Sequence, residues 1–190
     1  CRGQFPASAD ACAAYLCTGS RFSVYDQEPW ILELKDFVKT IAQSSQKFIG
    51  VCFGHQMLGE ALGGKVEKAA SGWNVGVHRF DIRQQEPWME PFQSPLQLLM
   101  MCQDQVVQLP ENSTVLAATA SCPVGMFRVG NNMLGIQAHP EFPKEYARRL
   151  MEARREKIGP IKVAAALETM TQPVDGALLA KWIPAFLNHA

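Results

Sequence analysis

The sequence predicts an α/β fold, a mostly parallel central sheet with helices on both faces. Three observations carry this. Residues 13–18 (AAYLCT) and 47–52 (KFIGVC) are short apolar runs of the kind that strands buried on both faces show. Between them Trp30, Ile31, Leu34, Phe37, Val38 and Ile41 recur at helical spacing, and Pro29 sits just before them as a helix-start signal. Strand, helix, strand within about 40 residues is a βαβ unit, which needs a crossover connection and therefore parallel pairing.

The remaining elements follow in chain order. Residues 1–12 (CRGQFPASADAC) hold little that forms a central strand, although doubly wound sheets usually begin with a strand and helix before such a unit. Either those elements lie upstream of Cys1, which would make this a truncated or processed chain, or the sheet lacks them. Residues 54–62 are helical in pattern and stop at Gly63-Gly64. Residues 75–82, 96–101, 114–118 and 133–137 are strand candidates, some antiparallel because short turns separate them. Pro143 opens a helix with Tyr146, Leu150 and Met151 on one side. Residues 161–187 continue in helical pattern with interruptions near Pro173 and Pro184. The expected organisation is one domain over 1–190.

Composition narrows the function. Hydrophobic residues make up 47% of the chain, which suits a folded core. The 18 basic and 18 acidic residues cancel, so nothing points to nucleic acid or an anionic membrane surface as a partner. No apolar run approaches the roughly 20 residues that span a bilayer. Cysteines stand at 1, 12, 17, 52, 102 and 122 with no CxxC pair, so neither a disulfide framework nor a zinc site is expected, and a reducing cytoplasm is the expected location.

Two segments carry chemistry. Gly50-Val-Cys52-Phe-Gly54 has the G-x-nucleophile-x-G form of a strand-to-helix elbow. Small flanking residues allow the turn, and a sulfur at a helix N-terminus is favoured as thiolate. The Phe53 N–H then points toward whatever the sulfur attacks. An isolated cysteine is more often simply buried, and the paired glycines weigh against that reading. The second segment is Gly135-Ile-Gln-Ala-His139-Pro140-Glu141-Phe142. Proline favours an extended residue before it, and in extended chain residues two apart project to the same side. His139 and Glu141 therefore supply the base and its orienter that a cysteine nucleophile requires.

GVCFGHQ together with QAHPEF resembles the class I (triad) glutamine amidotransferases, in the branch of free-standing domains similar to the glutaminase part of GMP synthase. The likeness runs from about Tyr15 to Phe186. It implies a flavodoxin-like sheet, here without its first strand and helix. It further implies that Cys52 attacks the γ-amide carbon of glutamine, that His139 moves the proton and that Glu141 orients His139. A γ-glutamyl thioester is then hydrolysed. By the same likeness Phe53 and Ser20, in the loop Thr18-Gly19-Ser20-Arg21, donate the oxyanion-hole N–H groups. A serine there departs from the family's usual glycine and would be strained if its φ were positive. Gly19, Gln56, Asn74, Gly76 and Val77 are the implied substrate contacts, with Trp73 either covering the pocket or packing. Cys102 stands where relatives often have His, in a His-x-Asp pattern. No cofactor or metal is implied.

Two substrates compete within this reading. An amidotransferase passes ammonia to a synthetase partner, whereas a γ-glutamyl peptidase hydrolyses γ-glutamyl peptides with the same triad. A non-catalytic binding or regulatory protein on the same fold is the competitor from another class, and the complete Cys-His-Glu set argues against it.

Overall fold

This computed structural model describes residues 3–189. After a 3-10 turn at Ala9–Ala11, the chain forms β1 (Ala14–Cys17), α1 (Pro29–Ala42), β2 (Lys47–Val51) and α2 (Phe53–Ala61). It continues as β3 (Lys65–Lys68), β4 (Asn74–Ile82), β5 (Leu96–Cys102), β6 (Asp104–Gln108), β7 (Ser113–Thr119), β8 (Cys122–Val129) and β9 (Met133–Ile136). Four helices close it: α3 (Lys144–Ala153), α4 (Arg155–Ile158), α5 (Pro160–Thr169) and α6 (Gly176–Asn188).

Seven strands form one sheet in the order β1-β2-β9-β8-β7-β4-β5, and β3 pairs with β6 in a separate ribbon. The α/β class holds. Parallel pairing is confined to β1–β2 and β2–β9, the strands around the βαβ unit. The other four joins are antiparallel, so the sheet is mixed. The reason is connection length: β7, β8 and β9 follow one another through turns too short for a crossover. Among the described residues no strand precedes β1, which takes one edge of the sheet.

Side-chain alternation on the central strands builds a core on each face. On β2, Phe48 packs with Ile31, Val38 and Met57 of α1 and α2. Its neighbour Ile49 joins the opposite cluster with Leu179, Trp182 and Phe186 of α6. A third cluster buries Val75 and Val77 of β4 against Met151 of α3 and Val163 and Ala166 of α5.

Three strands escape the sequence reading, each for a local reason. β3 (KVEK) is charged, with Val66 its one buried residue. β6 follows β5 after a single residue, so the two read as one segment. β8 contains Pro123 and Gly125, which normally argue against a central strand. Pro123 sits exposed near its start, where the β7–β8 register shifts, and a Cβ at Gly125 would come within 2.6 Å of the Phe80 ring. Pro173 does fall in the break before α6, but Pro184 lies inside α6. Burial of Trp182 and Phe186 on either side of Pro184 offsets the roughly 3 kcal/mol that an interior proline costs.

Candidate active site

Cys52 stands between β2 and α2 as the residue capping the helix, with φ 52° and ψ −99°. Only Cys52 and Asn112 have positive φ among the described non-glycine residues. Such a conformation costs on the order of 1–3 kcal/mol and persists where the surroundings impose it. They do so here through two glycines. A Cβ at Gly50 would lie 2.2 Å from the Gly54 carbonyl oxygen, and one at Gly54 would lie 2.1 Å from the Cys17 carbonyl oxygen. The Cys52 N–H donates to Ile136 O at 2.9 Å, fixing the elbow to β9, and the Gln56 N–H donates to Cys52 O at 3.0 Å to start the helix.

His139 lies three residues beyond β9, and its N–H donates to Leu99 O of β5 at 2.8 Å. The ring Nδ1 pairs with Glu141 Oε1 at 2.8 Å. Phe142 stacks on the ring at a centroid distance of 3.9 Å and an interplanar angle of 12°. A Cβ at Gly19 would come within 3.0 Å of His139 Cε1 and 3.8 Å of Cys52 Cβ, so the loop after β1 closes over both residues. Burial alone would push the His139 pKa down, but hydrogen bonding and charge from Cys52 and Glu141 outweigh it and raise the value to about 9. Thus Cys52 meets His139 and Glu141, which lie far from it in sequence, at one cleft.

The cleft has two halves on either side of Cys52. One, of about 360 Å³, is bordered by Phe53, Gln56, Asp104 and the cations Lys68 and Lys157. The other, of about 400 Å³, is bordered by Gly19, His139, Glu141 and aromatic and aliphatic side chains. Ser20, Arg21 and Arg154 touch both. Trp73 lines the charged half, with Lys157 Nζ 5.6 Å from its ring centroid.

Other expected positions fall differently. Ser20 is not at positive φ, so the strain anticipated there is absent. Gln56 lines the charged half, but its Nε2 donates to Asp104 O at 2.7 Å and to Gln137 Oε1 at 3.2 Å. Gly76 and Val77 are not at the cleft. A Cβ at Gly76 would meet Thr169 Oγ1 at 2.6 Å, and the Val77 N–H donates to that same hydroxyl. Both residues serve the contact of β4 with α5: Gly76, at φ 90°, brings its backbone against Ala166 and Thr169, and Val77 is buried with Val163 and Ala166. Asn74 is buried opposite Cys102 in that register and does not border the cleft.

Asp104 was visible in the sequence only as half of a weak pattern. Its carboxylate accepts from Ser23 Oγ at 2.5 Å and from Tyr25 OH at 3.0 Å, tying the loop after β1 to the start of β6. Cys102 is 4% exposed, and burial, with Cys52 and Cys122 nearby, pushes its pKa well up. It is therefore held as a thiol beside the cleft. His55, also in the GVCFGHQ run, is fully buried edge-on to Phe127 at 4.9 Å and takes no part in the cleft.

Residues 26–154 match the family model described as "Glutamine amidotransferase class-I". The chain belongs to the class-I glutamine amidotransferase family. Among its relatives, gamma-glutamyl peptidase 4 of Arabidopsis thaliana is 31% identical over 150 residues, covering 75% of this chain and 60% of the relative. A glutamine-hydrolyzing GMP synthase of Phocaeicola vulgatus is 27% identical over 139 residues, 73% of this chain and 26% of the synthase. This amidotransferase domain thus spans about 60% of the length of the Arabidopsis peptidase. A glutamine amidotransferase from Thermotoga maritima superposes with a TM-score of 0.77 at 21% identity, over 92% of this chain and 78% of the other. At that identity the likeness speaks for the fold. No helix among the described residues is long and apolar enough to cross a membrane.

Proposed function

We propose that this amidotransferase-family protein hydrolyses the γ-amide C–N bond of glutamine or of a γ-glutamyl compound through Cys52, His139 and Glu141. The observation that carries the reading is the strained Cys52 elbow beside a His139 ring that is itself paired with Glu141. The His139 ring, its pKa raised to about 9, carries the proton that the leaving group needs. The sulfur attacks the amide carbon. The oxyanion accepts the N–H groups of Phe53 and Ser20. His139 gives its proton to the departing nitrogen, the C–N bond breaks, and a γ-glutamyl thioester remains. His139, now neutral, takes a proton from water, whose oxygen attacks the thioester. Glutamate leaves and the thiol is restored. Glu141 keeps Nδ1 protonated and leaves Nε2 for these transfers. The cations of the charged half suit the α-carboxylate of the glutamyl group. No cofactor enters this chemistry.

Two relatives' names pull in different directions: GMP synthase implies ammonia handed to a synthetase partner, and gamma-glutamyl peptidase implies peptide hydrolysis. The second reading gains from the room on the His139 side of the cleft. A diazo-ketone analogue of glutamine tests the shared chemistry. Labelling that maps to Cys52, and is lost in Cys52→Ala, supports the triad. Full turnover by Cys52→Ala ends it.

A further inference from the structure

The half of the cleft that His139 and Glu141 border has a volume of about 400 Å³. In acyl transfer from nitrogen, the departing amine must reach the acid that protonates it. Under the triad reading above, this half therefore receives the leaving group, and the charged half receives the glutamyl head. Ammonia needs no such room, since a molecule the size of water takes up about 30 Å³.

One wall of this half is aromatic and aliphatic, and Arg21 and Arg154 border it beside that wall. Phe142 lies flat on His139 at 3.9 Å, and Tyr146 stands edge-on to Phe142 at 4.7 Å and 73°. The three rings make a ladder from the proton donor to the surface. Tyr146 is 50% exposed, and Met101 and Leu150 border the same space. An exposed ring supported from behind by a second ring offers apolar contact area at little entropic cost, because stacking already holds it in place.

We infer that the substrate is a γ-glutamyl amide whose leaving nitrogen carries an aromatic or large aliphatic group, such as a γ-glutamyl dipeptide with a bulky second residue. Tyr146 and Leu150 are its specificity determinants. The inference rests on the triad reading and adds the leaving group to it. The bond broken is the γ-amide C–N bond, and water supplies the hydroxyl of glutamate and a proton of the freed amine.

The test compares glutamine, γ-glutamyl-glycine and γ-glutamyl-phenylalanine on the whole chain, following glutamate release. The expected kcat/KM for γ-glutamyl-phenylalanine exceeds that for γ-glutamyl-glycine by about tenfold or more, the usual value of an added apolar group in a fitted pocket. Tyr146→Ala, a surface change that leaves folding alone, should cut that ratio by roughly tenfold, and Tyr146→Phe should retain it. Turnover in which glutamine or γ-glutamyl-glycine equals or exceeds γ-glutamyl-phenylalanine overturns the inference while leaving the triad standing. A preference that survives Tyr146→Ala overturns the assignment of Tyr146. Failure to hydrolyse all three, with no labelling of Cys52 by the glutamine analogue, brings down the triad reading and the inference together.

Discussion

At Gly50 and Gly54 the missing Cβ atoms matter more than backbone freedom, since neither glycine has positive φ. Each would drive a methyl group into backbone at about 2 Å, so no side-chain rotation relieves the clash. Gly50→Ala should lower stability by roughly 2–4 kcal/mol and turnover by a hundredfold or more, because the elbow itself must shift. Urea unfolding and glutamate release measure the two effects. His139 makes a second residue-scale prediction. Its raised pKa means that the ring keeps its proton until about pH 9. The kcat/KM profile should therefore fall on the alkaline side near that value as the proton for the leaving amine is lost. Glu141→Gln removes one of the causes that raise the ring's pKa, so it should move this limb to lower pH. An unchanged limb would contradict the role given to Glu141.

Among the elements, the loop after β1 is tied to the rest of the fold by a distant carboxylate. It carries Gly19 and Ser20, and no regular structure holds it between β1 and α1. Asp104 fastens it through two hydroxyls from some 80 residues away. Asp104→Ala should speed amide exchange at residues 20–25 and, under the proposed mechanism, reduce kcat more than it raises KM, because the proposed oxyanion donor Ser20 is displaced while the proposed glutamyl contacts remain. Exchange mass spectrometry and steady-state kinetics read the two outcomes. Helix α6 makes a different kind of prediction. Trp182 is 1% exposed and its Nε1 donates to Pro91 O at 3.1 Å. Trp182→Ala should cost about 3–5 kcal/mol in urea unfolding, through the cavity and the orphaned carbonyl.

For the whole molecule, histidines set opposing pH slopes, His78 being lowered by burial in the same direction as His55. Burial lowers the His55 pKa to about 4. Below about 6.5 the unfolded chain takes up a proton that the folded chain refuses, so stability falls as pH drops from about 6.5 toward 4. His139 is raised to about 9, so its contribution is complete below about 6.5 and is lost as pH rises through 9. Together they place a stability maximum near pH 6.5, each histidine adding a slope of at most about 1.4 kcal/mol per pH unit. Thermal melts across pH 4–9 check this, and His55→Gln should flatten only the acid limb.

The sequence by itself determined the βαβ unit, the strand-to-helix elbow at Cys52 and the His-Pro-Glu segment. Each is encoded over a few neighbouring residues by apolar runs, paired glycines or a proline. Its reach ended where partners are distant. Gly76 and Val77 read as substrate contacts, yet only the packing of β4 on α5 shows which way they face. β8 was hidden by a proline that is harmless at an irregular strand start. Tertiary structure alone decided that Asp104 latches a loop from across the chain and that Lys68 and Lys157 share one half of a cleft. It also decided that Phe142 and Tyr146 extend the His139 ring into the other half. The physical reason is that local conformation follows from adjacent residues, whereas a cleft is made by side chains that meet only after the sheet has set their register and facing.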